Sequence, residues 1–185
     1  VGHLADTLYL SHYSSISSHY RVNPSSSFQA NALVDLIYKT FNWKRVLVVY
    51  SSTSSGLDAL DVFKHQAALY GLEIIGTLQM TPTLLKTPAS EKRYADSIDN
   101  IKILEARIYV LLLDNESVAQ EFIDTAGNTG LINSDSIILG NSEISSKNLW
   151  NFTNPASSVR KSSYKALNDA LGGYIGITEI HTDWM

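Results

Sequence analysis

The sequence predicts an α/β domain of three layers, a parallel sheet with helices on both faces. Two observations carry this. The runs "RVLVVY" (Arg45 to Tyr50) and "RIYVLLL" (Arg107 to Leu113) have the unbroken apolarity of strands buried on both sides. Around them lie segments whose apolar residues recur at helical spacing, and such alternation calls for parallel strands joined by right-handed crossovers.

The elements follow in order. The first helix is read over Phe28 to Thr40, with Ala30, Leu33, Leu36 and Ile37 on one face. Ser25, Ser26 and Ser27 offer N-cap hydroxyls there, and Pro24 blocks an earlier start. After the strand "RVLVVY", Leu57 to Tyr70 returns to helical spacing through Leu57, Leu60, Phe63, Ala67 and Ala68. Gly71 is placed to end that helix in the left-handed conformation. "LEIIGTLQM" is the next strand. Pro82 and Pro88 bracket a loop, and a helix capped by Ser90 runs to Ala106. Beyond "RIYVLLL", Asp114 is the expected N-cap of a helix ending at Gly127 or Gly130. "SIILG" is another strand; a weaker helix around Val159 to Leu171 then leads through Gly172 and Gly173 into the strand "YIGIT". The serine clusters Ser14–Ser18, Ser25–Ser27 and Ser51–Ser55 fall at connections. In open α/β sheets ligands gather at the carboxyl ends of strands, where such loops lie.

Composition narrows the function. The 185 residues carry a net charge of −4 without a basic cluster, which argues against a nucleic-acid surface. No apolar run approaches the roughly 18 to 20 residues of a membrane span, so any membrane attachment is expected outside this chain. The absence of cysteine excludes disulfides and thiol nucleophiles within it. The start at Val1 and the end "TEIHTDWM" are read as cuts through a longer protein. Asn115-Glu116-Ser117 and Asn151-Phe152-Thr153 are glycosylation sequons, making Asn115 and Asn151 candidate sites in a secreted protein.

The stretch "VLVVYSSTSSGLDAL" has the strand, small-residue loop and helix start of a phosphate cradle. It lacks the rest. A P-loop needs a second glycine and a lysine, a dinucleotide fingerprint needs three glycines, and Asp58 in the first helical turn would repel an anion. No G-x-S-x-G elbow occurs. The five histidines, at 3, 12, 19, 65 and 181, form no H-E-x-x-H and no i, i+4 pair, and His65 falls on the polar side of its helix. The cluster Asp114, Asn115 and Glu116 is accounted for by helix capping. The expectation is a protein without catalytic activity, metal or cofactor.

The segment "YRVNPSSSFQANALVDLIYKTFNWKRVLVVYSS" resembles the receptor-family ligand-binding region, the eukaryotic relative of type I periplasmic binding proteins. The likeness rests on Tyr20, Arg21, Pro24, Ser25, Gln29 and Ala30, then Phe41, Trp43, Lys44 and Val46. "LSHYSSISS", "ARIYVLLLDNESVAQEFIDTAGNTGL" and "ALNDALGGYIGIT" are similar to later or flanking segments of that family, in one consistent order. The resemblance implies a two-lobed clamshell. Residues 1–23 would supply part of lobe 1, residues 24–178 nearly all of lobe 2, and residues 179–185 the start of a crossover back.

Such domains are the extracellular sensors of class C G-protein-coupled receptors, receptor guanylate cyclases and ionotropic glutamate receptors. They dimerise through lobe 1 and close around a small, often amino-acid-like ligand in the cleft. Carried onto this chain, lobe 1 contacts fall on Ser14 and Ser15, and lobe 2 contacts on Ser52, Ser55, Asp114, Asn141 and Glu143. Ser55 stands where the family often has an aromatic that stacks on the ligand, and this departure removes a cation–π surface. Trp43 and Phe41 read as closing one end of the core. The resemblance thus implies an ectodomain on the outer face of the plasma membrane. The alternatives are a soluble solute-binding protein of a transporter, or a degenerate lobe that serves only in dimerisation. The Ser14–Ser15 and Ser52–Ser55 loops are expected to face each other across the cleft.

Overall fold

The computed structural model describes residues 26–81, 88–133, 135–141 and 174–176. Helix α1 (Ser26–Asp35) widens into a π-helical turn over Leu36–Thr40. Phe41 N–H closes it on Leu36 O at 3.2 Å, and Asn42, at φ 55°, turns the chain into β1 (Arg45–Ser51). There follow α2 (Ser54–Tyr70), β2 (Glu73–Met80), α3 (Pro88–Lys102), β3 (Ile108–Leu112), α4 (Glu116–Thr129), β4 (Ile137–Gly140) and β5 (Tyr174–Gly176). All five strands are parallel, in the order β2-β1-β3-β4-β5.

Each face of the sheet buries its own core, which is why β1 and β3 read as unbroken apolar runs. On one face Leu33 of α1, Ile37 of the π turn, and Leu60 and Phe63 of α2 pack on Val46, Val48, Val110 and Leu112. On the other, Ile98 of α3 and Phe122 and Ile123 of α4 pack on Leu47, Val49, Tyr109 and Leu111. Successive residues of a strand point to opposite faces, so both sets must be apolar. From β1 the chain steps one way to β2 over the first face. It then returns past β1 to β3 and on to β4 over the second. A right-handed crossover demands this change of face when the direction reverses.

Several local expectations need correction. α2 starts at Ser54, three residues before Leu57, because Thr53 is the N-cap and its Oγ1 accepts from Gly56 N–H at 3.2 Å. The inward face is therefore Gly56, Ala59, Leu60, Phe63 and Ala67, while Leu57 and Ala68 are exposed. Asp58 lies beyond the first turn, which carries no acidic residue. In the first helix Val34 is buried, and Leu36, which opens the π turn, is only half-buried, since that turn shifts the stripe.

Pro88 opens α3 rather than closing a loop, a position where its missing N–H has no helical acceptor to lose, and Ser90 lies inside the helix. α3 ends at Lys102, four residues before Ala106. Leu104 N–H and Glu105 N–H turn back to Ile101 O and Lys102 O, at 2.9 and 3.0 Å, and Glu105 takes φ 47°. Asn115, not Asp114, caps α4: its Oδ1 accepts from Ser117 N–H at 2.8 Å. Gly71 and Gly130 end α2 and α4 at φ 70° as expected, and His65 is exposed. Trp43 packs against the end of the first core, stacked on Phe41 at 4.3 Å between ring centroids. The expected helix around Val159 to Leu171, residues 1–23 and residues 179–185 lie outside the described residues.

Candidate functional site

β1 lies between β2 and β3, and the chain leaves it in one direction and returns in the other, so the carboxyl ends of β1 and β3 flank the topological switch point. Loops diverge there to opposite faces and leave a crevice. Four strand ends are laced together around it. Ser52 N–H donates to Met80 O at 2.8 Å, tying the loop after β1 to the end of β2. Asp114 N–H donates to Ser51 Oγ at 3.3 Å, and Thr53 Oγ1–H donates to Asp114 Oδ2, both bridging β1 to β3. Asn141, buried just after β4, donates from Nδ2 to Leu113 O at 2.9 Å.

Local sequence explains the crowding. An alanine Cβ at Gly56 would lie 2.3 Å from Ser51 O, so only glycine lets the first turn of α2 press against the end of β1. That contact brings Thr53 within reach of Asp114. Thr53 then has two tasks, accepting from the α2 backbone and donating across the crevice. The Asp114 carboxylate consequently faces the N-terminal end of α2, whose unpaired N–H groups carry partial positive charge. An incoming anion would compete with Asp114 for that place. Asp114 Oδ1, by contrast, is buried and has no hydrogen-bond partner among the described residues. A carboxylate at this place favours a hydrogen-bond donor, an ammonium, amide N–H or hydroxyl, over an acceptor.

Of the residues singled out from sequence, Ser52, Asp114 and Asn141 stand at these laced strand ends. Ser55 is half-buried in the first turn of α2. Asn115 is exposed at the start of α4, so its sequon lies on the rim of the same crevice. Ser14, Ser15, Glu143 and Asn151 lie outside the described residues, as does the expected facing of the Ser14–Ser15 loop. Two residues of the serine-rich loop were not singled out as contacts, Ser51 and Thr53. Thr53 carried a usable signal, a β-hydroxyl three residues before a glycine at a strand–helix joint, which the later helix start at Leu57 obscured.

Among the described residues no cluster of three or more histidines and carboxylates could hold a metal ion. Nor is any helix among them long and apolar enough to cross a membrane. The family model described as receptor family ligand binding region matches residues 3–183. No curated protein matches the chain.

Proposed function

The chain belongs to the receptor-family ligand-binding region, and on that premise we propose that it forms most of lobe 2 of a receptor ectodomain that senses a small molecule. The family is one of ligand-binding domains of receptors and binding proteins, and the fold is α/β of the type I periplasmic-binding-protein kind. In this reading the domain stands outside the plasma membrane, pairs through lobe 1 and has no catalytic activity of its own. Ligand binds at the carboxyl ends of β1, β3 and β4, and closure of the two lobes shifts the receptor between states by the difference in ligand affinity for each.

One observation bears most on the ligand: Asp114, braced by Thr53 and Ser51, sets a half-buried carboxylate with one unpartnered oxygen at the switch point. The ligand therefore brings a donor to lobe 2. A thermal-shift screen of the full-length receptor against amines, amino acids and organic anions tests this. Donor-bearing compounds are expected to raise the midpoint, and Asp114→Asn to diminish that rise while leaving the unliganded midpoint near its original value. Stabilisation by anions alone would overturn the assignment.

A second reading, a non-binding lobe kept as a dimer partner, is favoured by Ser55 in place of a stacking aromatic. It predicts no stabilisation by any compound and a concentration-dependent midpoint.

A further inference from the structure

The opposite end of the sheet holds a cavity of about 770 Å³, lined by the segments that enter β1 and β3. Its volume lies within the range of small-molecule pockets, roughly 300 to 1,000 Å³. β1 runs seven residues from this end to the crevice, a separation of about 20 Å at the usual strand rise. The two places cannot share a ligand of modest size.

Three departures from regular backbone meet at this cavity. Asn42 and Glu105, the two non-glycine residues with positive φ among the described residues, both line it. So does Ile75, which has no partner in β1: Val46 pairs with Ile74 and Leu47 with Gly76. A bulge of this kind re-aims a side chain, and strained backbone collects at functional sites because packing for stability alone would remove it. The wall opposite is set by Leu104, seated over Gly76 so closely that a Cβ there would lie 2.6 Å from Leu104 Cδ1.

The lining has a definite chemistry. Trp43, Ile75, Ile103 and Leu104 give it an apolar wall, and Ile103 stands 80% exposed. Lys44, Arg45 and Arg107 outnumber the one lining carboxylate, Glu105, in a chain whose net charge is −4. Two of those cations are engaged, Arg45 with Glu73 at 3.2 Å and Lys44 over the Tyr38 ring at 3.8 Å. Arg107 is exposed and makes no ion pair with a described residue. Its guanidinium has the planar fork that binds a carboxylate or sulfonate.

We propose that this cavity is a second ligand site, taking an amphipathic organic anion whose apolar body lies against Trp43, Ile75 and Leu104 and whose acid group meets Arg107. The test is calorimetry and amide-resolved NMR on the intact ectodomain that contains this chain, with 2-naphthalenesulfonate as probe and neutral 2-naphthalenemethanol as its counterpart. The sulfonate is expected to bind saturably, and the alcohol roughly tenfold more weakly. Amide shifts are expected at Asn42, Leu104, Glu105 and Arg107 and not at Ser52, Thr53 or Asp114. Arg107→Glu and Ile103→Asp, both at exposed positions, are expected to weaken binding by roughly tenfold while keeping the amide spectrum of the folded chain. The proposal is overturned by absence of saturable binding, by equal affinity for the alcohol or for Arg107→Glu, or by shifts centred on the carboxyl ends of the strands.

Discussion

Thr53 shows how much a single side chain settles here. Its oxygen caps α2 and its proton joins that cap to Asp114, so removing the hydroxyl costs at both ends. Thr53→Val is expected to destabilise the chain by about 1–3 kcal/mol in urea unfolding, with Thr53→Ser recovering most of the loss. Gly56→Ala is expected to cost as much or more, because its Cβ would meet the backbone of Ser51 rather than a side chain that can turn aside. Tyr109 makes a different prediction. Its hydroxyl lies 2.9 Å from Ala106 O and 3.0 Å from Leu131 O, and burial pushes the phenol up from 10.0 to about 12. The neutral phenol is the form the fold favours, so its contribution is complete below pH 10 and is lost as pH climbs towards 12. The stability of the parent chain should therefore fall more steeply than that of Tyr109→Phe across that window, measured by urea midpoints at stepped pH.

At the scale of elements, strands were more legible than helix ends. β1 and β3 announce themselves because both faces of a central strand are buried and nothing polar interrupts them. Helix ends depend on what the neighbouring chain permits. α3 reads from sequence as continuing to Ala106 because Ile101, Ile103 and Leu104 keep up an apolar rhythm, yet the helix stops at Lys102 and Glu105 turns left-handed. A non-glycine residue there pays about 1 kcal/mol. The compensation is Leu104 resting on the bare backbone of Gly76, a contact between segments far apart in sequence. Paired substitutions expose the boundary: Ile98→Ala, inside α3 and fully buried, should cost about 2–5 kcal/mol, whereas Ile103→Ala should change stability by less than about 0.5 kcal/mol. Equal effects at the two positions would mean that the helix continues through Ile103.

Across the whole molecule the sheet order is what gives the chain two chemically distinct ends. Parallel strands place every carboxyl end on one side, where Ser51, Thr53, Asp114 and Asn141 converge. Every amino end lies on the other, where Trp43, Arg45, Leu104 and Arg107 surround the cavity. β1 and β3 are covered on both faces and flanked on both edges, while β2 has a strand on one side only among the described residues. Amide exchange at Leu47 to Val49 and Val110 to Leu112 is accordingly expected to be slower, by about tenfold or more, than at Thr77 to Gln79. Exchange that is fastest in β1 would contradict the strand order.

The sequence by itself determined the class of fold, the order of the described strands and helices, two glycine caps and the family. All of these rest on local apolar periodicity, on backbone freedom, or on motifs read in one linear order. It also pointed to Asp114 and Asn141, since a polar residue directly after a buried strand is conspicuous. Tertiary structure alone decided their partners. The reversal of winding at β1 brings Thr53 to Asp114 across 61 positions of chain, and that pairing sets a carboxylate beside a loop with the outline of a phosphate cradle. The cavity at the other end was equally out of reach of the sequence, because it is made by a bulge and by the left-handed Glu105, whose conformations are set by packing, with only Asn42 of a type that favours its left-handed turn.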